Sequence, residues 1–184
     1  MDFNELKTLC MKNNIPIIRD ETFKFIENKI LENNYSSILE IGTAYGYSSL
    51  LFSKIDCVKK IITIEKNESN YAIAKQIEND KITFLLADAF TFECKEKFDL
   101  IFLDACKSNQ EILVNKYLNN LNEKGLMVID NIFLKKFANQ QNLDRQKTRL
   151  IQKVHQFHNW LLQQKKFNVQ IIDLDDGIAL ITKN

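Results

Sequence analysis

Short apolar runs recur along this chain at regular intervals, with helical periodicity between most of them. Residues 37–41 (Ser-Ile-Leu-Glu-Ile), 60–64, 82–86, 98–103 and 126–129 have the length and the β-branched and aromatic content of strands buried on both faces. Residues 48–55, 68–79 and 109–121 carry the helical pattern. Parallel neighbours need a crossover, and crossovers of this kind are right-handed. The alternation therefore predicts an α/β fold, a mostly parallel sheet with helices on both faces.

The two ends of the chain depart from this rhythm. Residues 3–13 place Phe3, Leu6, Leu9 and Cys10 on one helical face, Pro16 breaks the chain, and Asp20 is the expected N-cap of a second helix over 21–32. At the other end, residues 133–149 are polar and basic without an apolar period, which predicts a loop or lid leading into a long helix over about 143–165. Residues 169–174 and 178–182 then flank Asp175-Asp176-Gly177, a hairpin signal. A parallel sheet closed by an antiparallel hairpin is the Rossmann-like, seven-stranded arrangement of S-adenosylmethionine methyltransferases, whereas a dinucleotide dehydrogenase has six parallel strands.

No linker or repeat interrupts the pattern. The expectation is one domain over 1–184, with N-terminal helices in 1–34 and the sheet core in 35–184. A net charge of +1 provides no global field for nucleic acid or membrane, so any such binding requires a local patch. No apolar run approaches membrane-spanning length and the N-terminus has no secretory h-region, so a soluble cytoplasmic protein is expected. The four cysteines lack ligand spacing and are expected to be free thiols.

Chemistry concentrates where strands end. Glu40 to Ser48 reads Glu-Ile-Gly-Thr-Ala-Tyr-Gly-Tyr-Ser, a strand, a glycine turn and a helix start that suits close approach of a ligand to backbone. Ala44 stands where the dinucleotide fingerprint has its second glycine, which favours a ligand without phosphates and argues against a dinucleotide-binding oxidoreductase. Glu65 ends its strand where a carboxylate can accept ribose hydroxyls, and Asp88-Ala89 follow the next strand. Asp104, Asp130 and Asn131 end two further strands, an oxygen set suited to Mg²⁺ or another hard divalent cation, with Lys107 nearby to take a proton. Each residue taken singly also fits an ordinary turn or cap, and the set is what points to chemistry. Lys135, Lys136, Arg145, Lys147, Arg149 and Lys153 form either a solvated face or a binding surface for a nucleic-acid backbone. His155, His158 and Trp160 are expected to pack or to lie on the surface.

Together, Ile15-Pro-Ile-Ile18, LEIGTAYGYSS, TIEKN, ADAF, FDLIFLDACK, GLMVIDN and the closing DGIAL make the chain resemble the cation-dependent O-methyltransferases, which include the catechol and caffeoyl-CoA enzymes. Within that family the DNIF segment and the HQFHNWL helix look similar to bacterial tRNA 5-hydroxyuridine O-methyltransferases. The resemblance implies that Ile18, Glu40, Gly42, Ser48, Glu65, Asp88, Ala89 and Asp104 form the S-adenosylmethionine pocket. It implies that Asp104, Asp130 and Asn131 hold the cation, that Lys107 is the general base, and that the protein is a homodimer. The acceptor it implies is 5-hydroxyuridine in a tRNA anticodon loop, the alternative being a small catechol-like molecule. Ala87 replaces a usual glycine before Asp88, and residues 133–141 lack the family's aromatic and glycine pattern.

Overall fold

The computed structural model describes residues 1–105, 109–133 and 145–184. Five parallel strands and one antiparallel hairpin form a seven-stranded sheet. In chain order they are β1 (Ser37–Ile41), β2 (Lys60–Glu65), β3 (Ile82–Leu86), β4 (Phe98–Leu103), β5 (Leu121–Asp130), β6 (Phe167–Ile172) and β7 (Ile178–Lys183). Their spatial order is β3-β2-β1-β4-β5-β7-β6, with β7 antiparallel to both β5 and β6. Helices α1 (Phe3–Lys12), α2 (Asp20–Asn33), α3 (Tyr47–Ser53), α4 (Glu68–Ala74), α5 (Gln110–Tyr117) and α6 (Arg145–Leu162), with a 3₁₀ turn at Leu118–Asn120, complete the described elements.

The period of two along each strand explains why the central strands carry almost no polar residues. Ile38, Ile61, Leu100, Phe102 and Val128 face one core, which includes buried side chains of α1, α2 and α3. Leu39, Ile41, Ile62, Ile64, Ile101, Leu103, Met127 and Ile129 face the other, which includes Leu113 and Val114 of α5 and Phe157 and Leu161 of α6. A strand covered on both faces needs apolar side chains at every position, so it loses the polar alternation of a half-exposed strand. Trp160 stacks on Phe157 with centroids 5.7 Å apart, and His158 meets the Phe133 ring edge-on at 5.6 Å. These are packing roles, as the sequence suggests.

Some boundaries differ from the sequence expectation for local reasons. Strand β5 begins at Leu121 and absorbs Lys124-Gly125, read from sequence as a turn, because its register against β4 shifts between Phe98 and Leu100. Asp20 is the first helical residue of α2, whose N-cap, Arg19, makes no side-chain cap. The amide of Thr22 is capped across the chain instead, by Asp175 Oδ2 at 3.1 Å.

Gln110 opens α5 and is buried, and neither its Nε2 nor its Oε1 has a hydrogen-bond partner among the described residues. An unpaired buried amide costs stability, so Gln110→Met is expected to stabilise the protein by about 1 kcal/mol. The midpoint and slope of urea unfolding check this; an unchanged or lower midpoint would show that the amide is satisfied in solution.

Candidate active site

The C-terminal ends of the parallel strands open on one cavity of about 540 Å³. This is the position that open α/β sheets use for ligands. Its base is the turn after β1. The amides of Gly42 and Thr43 donate to the Ile64 carbonyl at 3.0 and 3.2 Å, and the Asp104 amide donates to the Ile41 carbonyl at 3.1 Å, so the ends of β1, β2 and β4 are tied together. Gly42 has φ +105°, and a Cβ there would lie 2.5 Å from the Asp104 carbonyl oxygen. The sequence reading assigns this glycine to close approach of a ligand. In the fold its first duty is close approach of the next strand.

Glu65 lines the cavity, yet both its oxygens already serve backbone: Oε2 accepts from the Ala44 amide and Oε1 from the Asn67 amide, each at 2.8 Å. Each oxygen keeps a further lone pair for a ligand hydroxyl. Asp88 and Ala89 also line the cavity, with Asp88 Oδ1 accepting from the Phe90 amide at 2.8 Å and the Ala89 carbonyl accepting from the Tyr117 hydroxyl at 2.8 Å. Ile64, Ala87, Phe90 and Leu113 add apolar surface at this end.

Glu40 lies behind the cavity wall, fully buried. It pairs with Thr63 across β1 and β2 and accepts hydrogen bonds from the hydroxyls of Thr63, Ser48 and Ser49. Burial pushes its carboxyl up to about 7, partly opposed by the three hydroxyl donors. The native state therefore keeps a proton that the unfolded chain releases, and Glu40's contribution to stability should fall as pH rises from about 4.5 to about 7 and level off above. Thermal unfolding of the cofactor-free protein beside Glu40→Gln checks this. A difference between the two that is constant across the window contradicts it. Ser48 and Ile18 line a small recess adjoining the cavity, together with Gly42 and Asp104.

Asp104, Asp130 and Asn131 come together as expected. The Asn131 Nδ2 lies 2.9 Å from Asp130 Oδ2 and 3.4 Å from Asp104 Oδ1. Asn131 adopts φ +58°, a left-handed conformation that asparagine tolerates better than most residues. Among the described residues no group of three or more His, Cys, Asp or Glu converges, and here the third member is an amide. Lys107, Lys135 and Lys136 lie outside the described residues. Arg145, Lys147, Arg149 and Lys153 are exposed on α6, whose Leu150 reaches the cavity.

Three charged cavity residues escape the sequence reading: Arg19, Lys66 and Asp176. Arg19 Nη2 donates to Asp176 Oδ2 at 2.6 Å across a separation of 157 residues. The motifs on either side, IPII and DGIAL, were legible, but nothing in their spacing says that they touch.

The sequence profile of the O-methyltransferase family matches residues 3–184. The chain belongs to the O-methyltransferase family. Its fold is that of S-adenosylmethionine-dependent methyltransferases, with the terminal hairpin in place. A candidate caffeoyl-CoA O-methyltransferase of Staphylococcus aureus superposes with a TM-score of 0.90 at 29% identity, covering 100% of this chain and 93% of that one. An O-methyltransferase of Bacillus cereus in complex with SAH superposes at 0.79 with 22% identity, covering 98% and 90%, which is a likeness of fold. A candidate cobalt-precorrin-6B C(15)-methyltransferase of Thermoplasma volcanium is 27% identical over 128 residues, 66% of this chain. The chain matches 63% of the length of that curated relative. No helix among the described residues is long and apolar enough to cross a membrane.

Proposed function

We propose that this O-methyltransferase family member transfers the methyl group of S-adenosylmethionine to a hydroxyl of a small hydroxylated aromatic acceptor, with a divalent cation such as Mg²⁺. The observation that carries this reading is the meeting of Asp104, Asp130 and Asn131 beside a cavity whose other end is apolar with a strand-end carboxylate. The name of the Staphylococcus aureus relative points to an acceptor of the same class.

The donor set fits a hard cation. Turning the Asn131 amide by 180° exchanges its nitrogen for its oxygen and sets that oxygen beside Asp130 Oδ2 and Asp104 Oδ1, a donor set with which such an ion would keep its remaining sites for water and substrate. When bound, the donor supplies an electrophilic methyl group and the cation lowers the pKa of an acceptor hydroxyl. The chain's own contribution is then to hold and to deprotonate. Glu65 would accept the ribose hydroxyls, Asp88 and Ala89 would meet the adenine, and Gly42, Ser48 and Ile18 would surround the methionine end. Glu40 would act through Ser48. Lys107 would take the hydroxyl proton, and fixed placement of the two substrates would provide the proximity.

A second reading keeps the chemistry and changes the acceptor to 5-hydroxyuridine in a tRNA anticodon loop. It rests on α6, which carries Arg145, Lys147, Arg149 and Lys153 and no acidic residue beside the cavity. Labelled S-adenosylmethionine, offered with catechol, with 3,4-dihydroxybenzoate and with tRNA lacking the methyl group, separates the readings. Transfer to tRNA alone would overturn the small-acceptor reading, and transfer to none of the three would overturn both. We also read residues 1–184 as one domain of a cytoplasmic homodimer, with Met11 of α1 and Leu31 of α2, both more than half exposed, as contact residues; light scattering tests the assembly.

A further inference from the structure

Arg19 lines the cavity and has no part in the methyl transfer proposed above. It sits at the start of α2, and its guanidinium is fixed by Asp176, which is 4% exposed. Asp176 is held in turn. Its carbonyl accepts from the Phe133 amide at 2.8 Å, the Gly177 carbonyl accepts from the Ile132 amide at 3.0 Å, and Asp175 Oδ2 accepts from the Thr22 hydroxyl at 2.7 Å. Gly177 at φ +79° leaves no room for a side chain, since a Cβ would lie 2.2 Å from the Phe133 ring. The turn is therefore wedged between α2 and the segment that follows Asn131.

Only Nη2 of Arg19 hydrogen-bonds among the described residues; Nη1 makes a longer ion pair with Asp175 Oδ1 at 4.0 Å, and the side chain is 47% exposed. A guanidinium has five N–H donors in a rigid fork matched to a carboxylate. The sheet order places this fork at a definite end of the site. From β2, which bears Glu65, to β7, which follows Asp176, there are four strand steps, or roughly 19 Å at strand spacing. Asp104, just past the end of β4, and Asp130, the last residue of β5, lie between. Arg19 is thus on the far side of the proposed reacting hydroxyl from the cofactor's nucleoside. Desolvating its free donors against an apolar group is costly, so the acceptor that suits this end brings oxygens of its own.

We propose that Arg19 selects the acceptor, receiving a carboxylate carried by the hydroxylated aromatic on the side away from the reacting hydroxyl. This rests on the small-acceptor reading above. The test is calorimetric titration of the SAH-loaded, Mg²⁺-supplemented protein with 3,4-dihydroxybenzoate and with catechol, in wild type, Arg19→Gln and Arg19→Lys. The expected result is a wild-type preference for the acid of at least about tenfold, a ratio near one for Arg19→Gln, and an intermediate ratio for Arg19→Lys. A wild-type ratio near one overturns the proposal, as does a ratio that survives Arg19→Gln. An equal weakening of both ligands in Arg19→Gln leaves the ratio intact and would make the residue a structural clamp. Turnover measured in parallel tests the methyl-transfer reading separately, because the binding ratio is defined whether or not either ligand is methylated.

Discussion

Gly42→Ala is expected to lose about 3 kcal/mol of stability and, with it, measurable affinity for SAH. Two costs add at this position. Residue 42 has φ +105°, where an L side chain is strained by roughly 1–3 kcal/mol. Its Cβ would also lie 2.5 Å from the Asp104 carbonyl oxygen and 2.9 Å from the carbonyl carbon, both backbone atoms of the strand end that cannot rotate aside. Relief requires β1 and β4 to separate at their C-terminal ends, which breaks the bond from the Asp104 amide to the Ile41 carbonyl and displaces Asp104 itself. Overpacking of this kind costs a further 1–3 kcal/mol or so. Urea unfolding and calorimetric titration with SAH measure the two effects. A Gly42→Ala protein that binds SAH as tightly as wild type would show that the turn has slack which its geometry denies.

Asp130→Asn and Asp104→Asn are expected to lower turnover alike and to differ in cofactor binding. If both carboxylates hold the cation, losing either removes several kcal/mol of charge stabilisation at the acceptor oxygen, about 100- to 1,000-fold in rate. Of the two aspartates, Asp104 alone borders both the main cavity and the recess shared by Ile18 and Ser48, so its loss, and not that of Asp130, should also weaken SAH. Asp130 is buried at the end of β5 and touches Asn131. Its variant should bind SAH like wild type while its dependence on added Mg²⁺ shifts to higher concentration. Should Asp130→Asn turn over normally at low Mg²⁺, the proposed cation ligands are wrong, whatever the acceptor is.

Much of this was legible beforehand because it is encoded locally. A strand buried on both faces is apolar at nearly every position, so the sheet strands are legible along the chain, and the hairpin is visible in Asp175-Asp176-Gly177. Strand ends in a parallel sheet all point one way, so the polar residues at those ends supply most of the cavity's polar lining: Glu65, Asp88, Asp104, Asp130 and Asn131. Glu40 is legible as part of the glycine-turn motif, and the fold buries it fully.

The residues that the sequence could not reveal are those whose meaning depends on a distant partner. Arg19 reads as one more charge before a helix, and Asp176 as a turn residue; only the packing of the hairpin against α2 brings them to 2.6 Å. Gln110 reads as a polar helix start, and it is buried without a side-chain partner among the described residues. The strand ends and the glycine turn were determined by composition and period, which act within a few residues. The far end of the cavity, where Arg19 and Asp176 meet, was decided by contacts between segments some 150 residues apart, and no local pattern records a contact of that range.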